Sequence, residues 1–137
     1  GYTVFLKRIE KFTQIGIVEF AETKGQSNPI SLKKMEAEKI LGKLKPDDYL
    51  VLLDENGKSF SSVEFADYIQ KKENQSIKKL IFLIGGAYGF DERVYERANN
   101  KISLSSMTFS HQLIRLIFME QLYRAYTIMN NFPYHNE

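Results

Sequence analysis

The chain contains no cysteine. Disulfides, Cys-ligated zinc and thiol nucleophiles are excluded together, and the composition fits a reducing cytoplasm. Charge of one sign is also scarce: 19 Lys and Arg stand against 17 Asp and Glu, a formal net charge of +2. So even a balance does not announce a polyanion partner, which would have to meet a local basic surface instead. No apolar run approaches the ~18 residues of a membrane span, and the opening residues do not form a signal peptide. The chain opens on Gly1 rather than methionine, which we read as a cloning remnant or the start of a fragment. Internal repeats, low-complexity tracts and Gly/Ser linkers are missing too, so residues 1–137 are expected to form one domain. With 43% hydrophobic and 26% charged residues, the chain has the composition of a globular protein rather than a disordered one.

What is present alternates in type. Phe5, Ile9 and Phe12 at helical spacing predict a short helix over residues 2–12, and residues 15–21 read as a strand. A polar loop at 22–29 precedes a helix over 31–44, whose apolar side carries Leu32, Met35, Ile40, Leu41 and Leu44 and which Pro46 stops. A continuous apolar strand at 49–53 is expected to end in the turn Asp54-Glu55-Asn56-Gly57-Lys58. Ser61-Ser62-Val63-Glu64 matches a capping box and starts a helix running to about Lys72. Leu80–Ile84 is a second apolar strand, Asp91 caps a short helix to Ala98, residues 102–105 form a third strand, and Ser110 caps a last helix over 111–130. Continuous apolar strands alternating with helices indicate an α/β fold: a mostly parallel sheet covered by helices on both faces.

Ligands of open parallel sheets bind at the carboxyl ends of the strands. Here those ends are Leu53-Asp54, Gly85-Gly86-Ala87-Tyr88-Gly89, and Leu104-Ser105-Ser106-Met107-Thr108-Phe109. The glycine loop is neither G-x-G-x-x-G nor a P-loop, so the usual phosphate cradles are not supported. It either lets backbone approach a ligand or serves a turn that needs positive φ. The segment from Leu104 to Phe109 could wrap a base with backbone groups, or be an ordinary connection with a buried Met and Phe. The last helix is apolar nearly all round and must be buried on more than one side. Arg115 and Arg124 lie about 180° apart on it at ~100° per residue. One is free to serve a ligand and the other a partner, or both reach solvent or pair with Glu120. His111 and His135 are the two histidines; they lack a carboxylate pattern around them, and no metal is expected. Lys33, Lys34, Lys39, Lys43 and Lys45, with Lys71, Lys72, Lys78 and Lys79, are candidates for phosphate contact or a solvated helix face.

Several of these stretches stand in a recognisable order. Leu80 through Phe90, Ile102-Ser103-Leu104-Ser105-Ser106-Met107-Thr108-Phe109-Ser110-His111-Gln112-Leu113-Ile114-Arg115, Glu120-Gln121-Leu122-Tyr123-Arg124-Ala125 and Pro133-Tyr134-His135 together resemble the RlmH family of SPOUT-class methyltransferases. Residues 50–58 resemble the family's strand and Gly-Lys turn. The resemblance implies an α/β-knot fold whose C-terminal segment threads a loop as a trefoil knot, an exception to the rule against threading. It implies a homodimer sharing the last helix, S-adenosylmethionine as cofactor, and 23S ribosomal RNA in the cytoplasmic ribosome as partner, with methyl transfer to N3 of a pseudouridine. By matching position, Leu53, Gly85, Leu104, Ser105, Ser106, Met107, Thr108 and Phe109 would contact the cofactor, and His111, Arg124, Tyr134 and His135 would line the substrate side. Family members begin with an extra strand ending in Gly-Lys, which is not present here. Ser106 stands where relatives often carry lysine, and Asn136 where a basic residue is common. Those departures motivate an alternative: a catalytically inactive SPOUT-fold module that binds RNA or the ribosome.

Overall fold

The computed structural model describes residues 1–20, 28–85 and 88–136, apart from the side chain of Asn136. In chain order the elements are α1 (Thr3–Ile9), α2 (Pro29–Lys43), β1 (Tyr49–Ser59), α3 (Ser62–Glu73), β2 (Leu80–Ile84), α4 (Glu92–Arg97), β3 (Asn100–Ser103) and α5 (His111–Met129), followed by a 3-10 helix, Pro133–Asn136. The alternation of strand and helix makes this an α/β protein, as the sequence pattern requires. Among the described residues, no helix is long and apolar enough to cross a membrane. Two compact units are distinguished: a helical unit of Gly1–Ile17, Ser59–Ser76 and Leu104–Glu137, and a sheet unit of Val18–Lys58 and Ile77–Ser103.

The sheet unit is built around β1, the middle strand in the order β2-β1-β3. β1 and β2 run parallel in the register Tyr49↔Leu80 to Leu53↔Ile84. Leu50, Val51 and Leu52 have no exposed surface, so both faces of the central strand are covered and alternation has nothing to record. Leu50 and Leu52 pack with Ala37 of α2, Val94 of α4 and Phe90, with Ile81 and Leu83 at the margin. Each such side chain contributes about 1.5–3 kcal/mol on burial. The start of β1 is held by side chains: Leu50 donates its N–H to Asn99 Oδ1 at 2.8 Å and accepts from the Asn99 N–H at 2.8 Å. Arg97 Nη2 donates to the carbonyls of Asp48 (2.8 Å) and Lys45 (3.0 Å).

In the helical unit, α1 and α3 both pack against α5. Phe65 meets Phe118 edge-on at 6.2 Å, Phe5 lies 6.0 Å from Tyr123, and Phe12 stacks on Tyr126 at 5.9 Å. The Tyr126 hydroxyl donates to the Glu73 carboxylate of α3. The capping box forms as read: Glu64 N–H donates to Ser61 Oγ at 3.1 Å and Ser61 N–H to Glu64 Oε1 at 2.8 Å. α5 ends in a Schellman turn. Asn131 takes φ 60°, its N–H donates to the Ile128 carbonyl at 3.2 Å, and the Phe132 N–H donates to the Thr127 carbonyl at 2.8 Å. Asparagine tolerates this left-handed conformation. The turn sends the chain back along α5, and the 3-10 helix packs against it.

Four elements depart from the sequence reading. Residues 15–20 form no strand; Ile17 and Val18 are exposed and pair with no strand among the described residues, without which β-propensity has no effect. Ala21 and most of the expected polar loop lie outside the described residues. The turn expected at 54–58 is instead a continuation of β1, because Gly57 lets β3 come close enough to pair. A Cβ on Gly57 would stand 2.7 Å from the backbone N of Ile102 and the carbonyl carbon of Lys101. β3 begins two residues earlier than its apolar pattern indicates, since Asn99 and Asn100 anchor its start to β1. On α2 only Ala37 is buried and Met35 is exposed.

Candidate active site

Three of the four residues expected on the substrate side meet at the C-terminal end of α5. Arg124 donates to Glu120 Oε1 through Nε (3.0 Å) and Nη2 (2.6 Å), and its Nη1 lies 3.0 Å from His135 Nδ1. The guanidinium also lies over the Tyr134 ring at 4.9 Å, while the Tyr134 hydroxyl donates to Glu120 Oε1 at 3.1 Å. Guanidinium can only donate, so His135 Nδ1 is the acceptor of this bond. The hydrogen bonds to Glu120 hold the Arg124 pKa above its ordinary value. Burial, then the bond to Glu120, raises that of the Tyr134 phenol, which stays protonated at neutral pH. The arrangement presents a fixed positive charge and two hydrogen-bonding rings, with the cation locked by the carboxylate beneath it.

Glu120 is the residue the sequence reading undervalued. Besides Arg124 and Tyr134 it accepts from Gln121 Nε2 at 2.8 Å, and Gln121 Oε1 in turn accepts from the Ser62 hydroxyl of α3 at 2.7 Å. Its spacing of one helical turn before Arg124 was the available signal. His111 is not part of this cluster within one chain. It is the first residue of α5, about 20 Å along the axis from Arg124 at 1.5 Å per residue. Its Nε2 is buried with no hydrogen-bond partner among the described residues.

The expected cofactor residues fall on strand ends and on one loop. In the sheet unit, Leu53 is the last rung of the β1–β2 ladder, opposite Ile84, and Gly85 follows directly. A Cβ on Gly85 would come 2.6 Å from the Phe90 ring, so its bareness accommodates Phe90. The positive φ belongs to Gly89, at 77°; Gly86 and Ala87 lie outside the described residues. In the helical unit, Ser106, Met107 and Thr108 are exposed, Leu104, Ser105 and Phe109 half-buried. Met107 N–H donates to Ser105 Oγ at 3.0 Å. Leu104, Ser106, Thr108 and Phe109 make no backbone–backbone hydrogen bond among the described residues. Accessible, unpaired amides and carbonyls fit recognition of a nucleoside, which needs both donors and acceptors.

A family model described as "Predicted SPOUT methyltransferase" matches residues 1–135. The chain belongs to the SPOUT methyltransferase family. It is thereby a methyltransferase. Among its relatives is the ribosomal RNA large subunit methyltransferase H of Flavobacterium psychrophilum, 50% identical over 135 residues, 97% of this chain and 86% of that protein. The protein of the same name from Bacteroides thetaiotaomicron is 55% identical over 131 residues, 96% of this chain and 83% of its own length. That from Christiangramia forsetii is 62% identical over 104 residues, 76% of this chain and 66% of its own.

The lysines of this SPOUT protein are less informative. Lys71 pairs with Asp67 at 2.9 Å and Lys78 with Asp47 at 3.2 Å, all with well-exposed side chains, so these pairs contribute little to stability. Among the described residues, no group of three or more His, Asp or Glu side chains could hold a metal ion.

Proposed function

We propose that this SPOUT enzyme transfers a methyl group from S-adenosylmethionine to N3 of a pseudouridine in 23S ribosomal RNA, acting as a homodimer on the assembled ribosome. The observation that carries this reading is the meeting of Arg124, Tyr134 and His135 over Glu120. The names of the relatives, ribosomal RNA large subunit methyltransferases, support the substrate class.

The cofactor supplies a methyl group already activated as a sulfonium. In the sheet unit Leu53 and Gly85, and in the helical unit Leu104, Ser105, Ser106, Met107, Thr108 and Phe109, would contact it, the backbone groups of that loop being suited to read an adenine. The N3 proton of the base lies between two carbonyls and is acidic enough to pass to solvent water acting as a modest general base. Glu120 and His135 take three of the five N–H donors of Arg124. Those left over stabilise the anionic base or an adjacent phosphate. Tyr134, held as a phenol, and His135 fix the base, and the enzyme chiefly keeps nucleophile and methyl in line.

The exposed Leu113 (42%) on α5, a helix apolar nearly all round, supports a homodimer sharing that helix. The family's fold implies a C-terminal segment threaded through a loop as a trefoil knot. Light scattering and isothermal titration with S-adenosylmethionine test the reading together with transfer of labelled methyl to ribosomes lacking it. A dimer that binds the cofactor and methylates, and an Arg124→Ala variant that binds but does not methylate, are expected. A monomer or a protein indifferent to the cofactor overturns the reading.

A further inference from the structure

Beyond the last rung of the β1–β2 ladder, Leu53↔Ile84, the two strands part company: β2 ends and β1 continues. The first residue of β1 past that point, Asp54, is half-buried and uses both carboxylate oxygens. Oδ1 accepts from the Asn56 N–H at 2.8 Å, and Oδ2 accepts from the Tyr95 hydroxyl of α4. The Tyr95 ring meets Phe90 edge-on at 5.7 Å and 88°. Phe90, 8% exposed, occupies the space a Cβ on Gly85 would need. Lys101 Nζ lies 5.6 Å from the centre of the Tyr95 ring. One side chain thus touches, directly or through one ring, the residue after Leu53 and the residue after Ile84.

We propose that Tyr95 is a positioning residue for the cofactor, bracing the Leu53-Asp54 strand through its hydroxyl and the Gly85 backbone through Phe90. The inference rests on the assignment of Leu53 and Gly85 as cofactor contacts made above. Gly85 has no side chain to offer, so its contact is made by backbone. The placement of two backbone segments decides affinity, and a brace that fixes both lowers the ordering cost of binding. Nothing in the strand pattern of either segment would maintain their spacing once the ladder ends.

Titration calorimetry with S-adenosylmethionine on the full-length protein, paired with thermal melts without ligand, tests the brace. Tyr95→Phe keeps the ring on Phe90 and removes only the hydroxyl. It is expected to weaken Kd about tenfold, the loss of one hydrogen bond to a carboxylate, beyond a fall of a few degrees in the unliganded melting temperature. Asp54→Ala should do the same, and the double variant should be no worse than either single one. Asp54→Asn should bind nearly as wild type, since its amide donates to the phenol oxygen and restores the link. Unchanged affinity in Tyr95→Phe, or additive losses in the double variant, overturns the brace while leaving the cofactor assignment standing. Wild-type protein that binds no cofactor overturns both.

Discussion

Arg124 gives two hydrogen bonds, at 3.0 and 2.6 Å, to a single oxygen of Glu120 one helical turn before it. The same oxygen accepts from Tyr134. A bifurcated grip of this kind fixes the plane of the guanidinium as well as its charge. Replacement by a point charge on a flexible stem should therefore not substitute for it. Arg124→Lys is expected to lower kcat/KM on the order of 100-fold with cofactor Kd unchanged, as measured in methyl-transfer kinetics. Glu120→Gln should retain more activity than Glu120→Ala, which leaves Arg124 unanchored.

The same cluster depends on a backbone turn. Asn131 at φ 60° closes the Schellman motif that returns Tyr134 and His135 to α5. Asn131→Val should cost about 1–2 kcal/mol in urea unfolding, because a β-branched side chain is disfavoured there. Asn131→Gly should be neutral or slightly stabilising. Methyl transfer by Asn131→Val should fall further than the fraction folded explains, since the ends of the cluster lose their register.

Much of the fold was legible because local signals and burial agree. Ser61 and Glu64 specify their capping box within four residues, and Leu80–Ile84 admits no wet face. Where the sequence misled, the deciding fact was non-local. Gly57 reads as a turn residue beside Asn56, yet the backbone of β3 claims the space its missing Cβ leaves. Ile17 and Val18 have strand-like side chains and no pairing strand among the described residues. The candidate site residues came from a family resemblance rather than from spacing. Two histidines and two arginines say nothing of a cluster until the turn at Asn131 folds the tail back. Glu120, a charged residue on an apolar helix, was the one local hint.

Close approach at Gly57 is itself testable. Gly57→Ala places a Cβ against backbone atoms, which cannot rotate away, and should destabilise the protein by about 1–3 kcal/mol. A chemical denaturation midpoint lowered at unchanged m-value is the expected signature.

Tyr95 gives a pH-dependent readout. Burial, then its bond to Asp54, raises its pKa from 10.0 to about 12. A folded-state pKa above the unfolded one means that the stabilisation is complete below pH 10 and disappears as pH rises toward 12. Phenolate absorbance should show a transition near pH 12 that Tyr95→Phe lacks, and stability of that variant should fall less steeply between those limits. A Tyr95 transition at the ordinary phenol value would contradict the bond.

The most direct measurement is nucleoside mass spectrometry of 23S RNA, after incubating the wild-type protein and S-adenosylmethionine with ribosomes purified from a strain lacking this methylation. One methyl group per 23S RNA, carried on N3 of a pseudouridine and absent with Arg124→Ala, is the expected result. A folded, cofactor-binding protein that leaves that RNA unmethylated, or that places the methyl on a different base or atom, would contradict it.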